Sequence, residues 1–345
     1  MAEWRWLAFK ILLHDLPDED RLCAALACRA FRDALFTLTK TAKDKGEPRF
    51  KTAPRALACS ASRLRWARGL GDEGPAWLRS WDRHTCCTIA AHGSVAALQW
   101  ARAEFCAWDL SSCEAAAQGG HLELLQWACA NGCGTDGASL SGVTADTLQR
   151  VGWGNGACVA AAAGGHLEVL QWLRGKGCRW DVRTCCAAAQ GGHLHVLQWA
   201  HATGCHCGGI VSDAAARGGH LEVLRWLYSN VRGVGGRSST CAGAAAGGHL
   251  EVLRWLRQNG LPWDRDTCAE AAHGGHLKVM QWARANECEW DSGTCFHAAQ
   301  AGHLNVLQWA RANGCEWDWR TAMIAEQRGH LELLRWARAN GCPEA

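Results

Sequence analysis

A Gly-His pair returns through most of this chain, as Gly120-His121, Gly165-His166, Gly192-His193, Gly219-His220, Gly248-His249, Gly275-His276, Gly302-His303 and Gly329-His330. The histidines stand 45, 27, 27, 29, 27, 27 and 27 residues apart. A period of this size is the mark of a solenoid, in which each repeat is a small element whose apolar face is buried only by its neighbours. Such an array grows by adding repeats, so the 345 residues do not count separate cores.

One repeat, CAEAAHGGHLKVMQWARANECEWD at 268–291, carries the local logic. The Thr before the Cys (Thr184, Thr240, Thr267, Thr294) is expected to cap a short first helix. Ala-Ala pairs such as Ala188-Ala189, Ala271-Ala272 and Ala298-Ala299 allow close helix packing, and the glycines before His end the helix. In a second helix Leu277, Val279, Met280, Trp282 and Ala283 make a wide apolar stripe that repeats on either side must cover. The tryptophan slot recurs at 66, 100, 127, 172, 199, 226, 255, 282, 309 and 336, which gives ten repeats, the first degenerate. Its lock to the period assigns it to the core, where losing a Trp costs roughly 3–5 kcal/mol. The recurring His is expected to hydrogen-bond across the turn between its own two helices.

Most of the 21 cysteines also follow the period. They fall eight residues before the His place (Cys86, Cys113, Cys158, Cys185, Cys241, Cys268, Cys295) or twelve after it (Cys106, Cys133, Cys178, Cys205, Cys288, Cys315, Cys342). Ser212 and Ala322 stand in at the first place, Arg232 and Leu261 at the second. A place that accepts Ser, Ala or Leu is used for its size, and a free thiol packs as a small hydrophobe. Reduced thiols fit a cytoplasmic location, with a nuclear one open.

The repeat resembles the ankyrin repeat over residues 56–345. Cys185 falls at the place of that family's first-helix Leu, Leu194, Val196 and Leu197 in its second helix, and Gly204-Cys205 at its Gly-Ala. Trp180-Asp181, Trp263-Asp264, Trp290-Asp291 and Trp317-Asp318 take the place of its Val-Asn. Ankyrin repeats run about 33 residues, and the shortfall here falls on the β-hairpin finger, clipped to turns such as Asp291-Ser292-Gly293-Thr294. The resemblance implies an all-α, ankyrin-type helix-turn-helix solenoid of about ten repeats. It also implies a concave face lined by first-helix and turn residues that vary between repeats: Gln118, Gln190, Arg217, Glu270, His273, His297 and Gln300, with Arg183, Arg265, Asp266, Trp319 and Arg320. Such a groove suits an extended peptide or a folded target protein.

Residues 1–38 lie outside the period. Leu12, Leu13 and Leu16 make one apolar turn, Pro17 breaks it, and Asp18 or Asp20 is placed to start a second helix with Leu22, Leu26 and Phe31 on one face. The stretch LLHDLPDEDRLCAALACRAFRDAL resembles the F-box, although Trp4, Arg5, Trp6 and Leu7 stand where that family opens with Leu-Pro. The resemblance implies that Leu12, Leu16, Pro17, Leu22, Leu26 and Phe31 dock on the adaptor that links substrate receptors to a cullin-type ubiquitin ligase. The competing reading is a helical cap on the first repeat. Residues 39–55 read as a charged linker, whose basic residues also suit a nuclear-import signal. The Gly-rich insertion at about 134–156 is either a plain surface loop or a specificity loop.

A net charge of +3 with interleaved signs argues against nucleic acid and membrane surfaces as partners. No paired C-x2-C spacing of a structural zinc site occurs, so neither a metal nor another cofactor is expected. No nucleophile, base and orienting group can be singled out, and an enzyme is not expected. The expectation is a monomeric, non-enzymatic protein-protein interaction module. Its most specific form is a substrate-recruiting ligase adaptor, and the alternatives are a stand-alone ankyrin scaffold or a metal- or redox-sensing protein that uses its cysteines.

Overall fold

The computed structural model describes residues 83–133 and 155–344. The F-box-like segment with Leu12, Leu16, Pro17, Leu22, Leu26 and Phe31, the linker, the Trp66 repeat and nearly all of the insertion lie outside the described residues. The chain divides into two compact units, Met1–Gly142 and Val143–Ala345. In the first unit the described helices are α1 (Arg83–Ala91), α2 (Val95–Ala103), α3 (Leu110–Gln118) and α4 (Leu122–Ala130). The second unit holds α5 (Gly156–Gly164), α6 (Leu167–Gly175), α7 (Val182–Gln190), α8 (Leu194–Ala202), α9 (Gly209–Gly218), α10 (Leu221–Asn230) and α11 (Ser238–Ala246). It continues with α12 (Leu250–Gln258), α13 (Arg265–His273), α14 (Leu277–Ala285), α15 (Ser292–Ala301), α16 (Leu304–Ala312), α17 (Trp319–Gln327) and α18 (Leu331–Ala339). All 18 described elements are helices, paired as helix-turn-helix repeats, and each first helix packs on the next first helix of its unit, as a helical solenoid requires.

The first helices start on aspartate, not on threonine. Asp109, Asp181, Asp264, Asp291 and Asp318 have extended backbones, and each carboxylate accepts the N–H two residues on at 2.9–3.1 Å. The threonines expected to cap sit one turn inside the helix. Thr184, Thr267, Thr294 and Thr321 are fully buried with hydroxyls that bond to nothing among the described residues. Thr240 differs because α9 supplies Asp213, whose carboxylate accepts its hydroxyl at 2.6 Å. Threonine therefore serves for its shape here, and the Trp-Asp dipeptide supplies the cap.

The Gly-Gly-His turn joins one repeat to the one before it. The second glycine takes a left-handed conformation, φ +74° to +81° between Gly165 and Gly329, and closes the first helix. His Nε2 donates not across its own turn, as expected, but to a carbonyl at the end of the preceding first helix. The pairs are His121 to Ala91 (3.1 Å), His193 to Ala163 (3.0 Å), His220 to Gln190 (2.9 Å), His249 to Arg217 (3.1 Å), His276 to Ala246 (3.0 Å) and His330 to Gln300 (3.3 Å). The ring lies over the preceding left-handed glycine, and a Cβ on Gly192 would come within 2.4 Å of His220. Glycine is needed at that place twice over, for its φ and for the neighbour's imidazole.

Second helices bury Val-Leu pairs such as Val196-Leu197 and Val306-Leu307 and, one turn later, Ala200 and Ala310. The tryptophan slot departs from expectation, for Trp127, Trp199, Trp282, Trp309 and Trp336 are only half-buried. Each meets the edge of the Trp that precedes the capping Asp: Trp108–Trp127, Trp180–Trp199, Trp263–Trp282, Trp290–Trp309 and Trp317–Trp336 have centroids 5.3–5.8 Å apart. An arginine of the preceding second helix covers the first ring of each pair, as Arg174 does over Trp180 at 4.3 Å and Arg257 over Trp263 at 4.2 Å. The same arginines donate to a turn carbonyl, Arg174 to Cys178 at 2.6 Å and Arg284 to Cys288. The tryptophans thus form a partly hydrated seam between successive repeats.

One register expectation also fails. Arg232 is exposed while Val231 and Val234 are buried, because α10 runs on to Asn230 and a longer turn follows.

Candidate functional site

Small side chains on the first helices let their backbones come together, and α11 reads SSTCAGAAA. A Cβ on its Gly243 would come within 2.9 Å of the Asp213 carbonyl of α9. Because α11 offers only Ser238, Ser239 and Ala242 to the open side, longer residues on α9, α13 and α15 frame a hollow of about 360 Å³ above it. Its lining brings together four of the residues singled out in the sequence: Arg217 from α9, Asp266 and Glu270 from α13 and His297 from α15. Asp264 and Ala269 complete it. The ring of His273, another of the candidates, stands edge-on to His297 at 5.8 Å.

Three carboxylates, one guanidinium and one imidazole line this hollow. The Asp264 carboxylate is engaged at the N-terminus of α13, where it accepts the Asp266 N–H at 3.1 Å. Asp266 and Glu270 can take the charge of a lysine or arginine side chain, and Arg217 and His297 can take carbonyl or carboxylate oxygens.

The other candidates are placed differently. Gln118 belongs to the first unit, at the exposed end of α3. Gln190 is exposed at the end of α7, and the Gln300 carbonyl receives His330. Arg183 and Arg320 pair with their own capping aspartates, to Asp181 at 3.0 Å and to Asp318 at 2.6 Å, while Arg265 reaches the next repeat's Asp291 at 3.1 Å. The Arg320 hydrogen bond holds the Asp318 carboxyl below its ordinary pKa. Trp319 is 43% exposed at the start of α17. Sequence reading missed Ser238, Ser239 and Ala242. The signal available was the run of small residues in SSTCAGAAA, which shows where the face is hollow.

A second pattern was also missed. The two cysteine places, 20 residues apart, meet in space: Cys86 Sγ donates to Cys106 Sγ and Cys185 Sγ to Cys205 Sγ, each at 2.9 Å. Cys113–Cys133, Cys158–Cys178, Cys268–Cys288 and Cys295–Cys315 are hydrogen-bonded thiol pairs as well. That bond, with burial, pushes the donor thiol up, whereas Cys178, Cys205, Cys288 and Cys315 are drawn down by the bond they receive. Cys241, whose partner place holds Leu261, is pushed up to about 12 by burial alone at the head of its causes. Every described cysteine is a free thiol.

Among the described residues no cluster of His, Cys, Asp and Glu is arranged to hold a metal ion, and no helix is long and apolar enough to cross a membrane. No family model matches the chain, and no curated protein matches it.

Proposed function

We propose that this chain is a non-enzymatic interaction module of ankyrin type that recruits a target protein to a cullin-type ubiquitin ligase. The hollow framed by Arg217, Glu270 and His297 receives the target, and residues 1–38 dock on the cullin-linking adaptor. The observation that carries the binding half is the convergence of those three variable residues over a floor of Ser and Ala. Their charges and hydrogen-bonding groups suit a peptide segment carrying a Lys or Arg. Helix-turn-helix repeats joined by short strand-free turns, with Gly-His at every described inner turn but Gly93-Ser94, support the ankyrin assignment among the described residues. The adaptor half rests on the pattern of Leu12, Leu16, Pro17, Leu22, Leu26 and Phe31. A cytoplasmic or nuclear protein follows from this reading, and nucleic acid and membranes have no part in it. The second reading is an ankyrin scaffold without a ubiquitin role.

Affinity purification of the tagged full chain tests both halves against two double variants, Leu16→Asp with Leu26→Asp and Glu270→Ala with His297→Ala. The first is expected to lose the cullin-linking adaptor and keep the target, and the second to do the reverse. A wild-type chain that retains no cullin-linking adaptor selects the scaffold reading. If the Glu270/His297 variant keeps every partner, the hollow is not the binding site.

A further inference from the structure

One repeat departs from its neighbours at several places together. The turn between α8 and α9 reads Cys205-His206-Cys207-Gly208, where equivalent turns read Cys178-Arg179-Trp180-Asp181 and Cys288-Glu289-Trp290-Asp291. Cys207 holds the tryptophan place and Gly208 the capping place, so α9 begins without a side-chain cap. His201 replaces the stacking arginine and meets the Trp226 edge at 5.7 Å. The arginine-tryptophan cover that closes five of the other described turns is therefore missing here, and a third thiol stands in its place.

Cys185 is in reach of both other thiols. Cys185 Sγ donates to Cys205 Sγ at 2.9 Å and is also hydrogen-bonded to Cys207. Cys205 Sγ passes its own proton toward the Asp181 carbonyl at 3.3 Å, and Cys207 Sγ lies 3.8 Å from the Cys205 carbonyl. Cys207 retains 4% exposure, against none for Cys185. The single Cys185 S–H is shared between its two acceptors, and it draws both the Cys205 and the Cys207 thiols down, which favours their thiolates. A cysteine biased toward thiolate beside a resolving cysteine is the arrangement of a redox-responsive site.

We propose that Cys185, Cys205 and Cys207 form a hydroperoxide-responsive modification site, in which Cys207 is oxidised and Cys185 converts it to a disulfide. The Cys207 sulfur attacks one oxygen of the hydroperoxide. The S–O bond forms, the O–O bond breaks, and the leaving hydroxide takes the thiol proton as water. Cys185 Sγ then attacks Cys207 Sγ; the S–S bond forms, the S–O bond breaks, and the second hydroxide leaves as water with the Cys185 proton. Two thiols lose two electrons and two protons, and hydrogen peroxide becomes two waters. Cys205, also in contact with Cys185, can take over the link by thiol-disulfide exchange. Of the remaining pairs, Cys113–Cys133 also has a third thiol close by, Cys129, whereas Cys158, Cys268 and Cys295 are each hydrogen-bonded to one thiol alone, and Trp and Asp close the turns beside Cys178, Cys288 and Cys315.

The test uses the full reduced chain, freed of reductant and treated with near-stoichiometric hydrogen peroxide. It is then denatured in acid, alkylated and mapped by mass spectrometry without reduction. Cys185 is expected to link to Cys207, or after exchange to Cys205, about tenfold faster than Cys158–Cys178, Cys268–Cys288 or Cys295–Cys315 link. Cys207→Ser, with an unchanged circular dichroism spectrum, is expected to bring the oxidation of Cys185 down to the rate of those pairs. Should that variant misfold, the comparison among pairs in the wild-type chain decides alone. Uniform oxidation of all pairs, oxidation confined to the half-buried Cys87 and Cys186, or an undiminished rate in Cys207→Ser would overturn the proposal.

Discussion

Threonine and aspartate compete for the same role at the start of each first helix, and both are favoured caps. Spacing alone left the choice to Thr, the residue nearest the Cys. The buried position goes instead to Thr, whose hydroxyl is stranded at Thr184, Thr267, Thr294 and Thr321. Replacing it by a methyl removes a desolvated polar group without changing volume. Thr294→Val is expected to leave stability unchanged or raise it by about 1 kcal/mol in urea unfolding. A loss of about 1 kcal/mol would restore threonine to the capping role. Histidine tells a similar story, for its recurrence was visible in the sequence but its partner, in the preceding first helix, was not. Burial lowers the pKa of His193 and His249 in the folded chain. The unfolded chain then binds more protons, so stability is full above the ordinary histidine value of about 6.5 and falls as pH drops through and below it. Melts across that window should show a falling midpoint, with a shallower slope for His193→Gln/His249→Gln. An identical slope in the variant would remove these histidines from the explanation.

At the scale of the element, helix boundaries were legible because glycine, alanine and the apolar stripe obey local rules. The depth of each residue was not, since it depends on how far apart neighbouring second helices stand. First helices carry Cys and Ala inward and approach closely, whereas second helices are held apart by Leu, Val and Trp. That separation leaves the tryptophan seam half hydrated. Trp282→Ala is accordingly expected to cost about 2 kcal/mol in chemical denaturation, below the range for a fully buried Trp but above that for a surface residue. A loss above about 4 kcal/mol would return the slot to the core. The cysteine pairs were legible in principle through their constant 20-residue separation, yet each place read singly looked like filler.

Across the molecule the period itself carried most of the fold, because a repeat that cannot bury its own face admits few arrangements. The hollow was legible only in part: Arg217, Glu270 and His297 vary in sequence, but their meeting over α11 depends on the small side chains of a neighbour. Nearest-neighbour stacking also governs what can be removed. Deleting residues 265–291, one whole period, should leave the second unit folded and cooperative with a smaller denaturant m-value, while deleting 265–278 should not, as circular dichroism would show. Equal damage from both deletions would contradict a modular array.

The central claim is that recurrent residues build the scaffold and the variable ones at Arg217, Glu270 and His297 bind the partner. The most direct measurement is the titration calorimetry of a captured target with wild-type chain, Glu270→Ala and His297→Ala, alongside a melt of each. The expected result is affinity weakened at least about tenfold in both variants, with melting midpoints unchanged. Unchanged affinity in both would place the binding surface elsewhere.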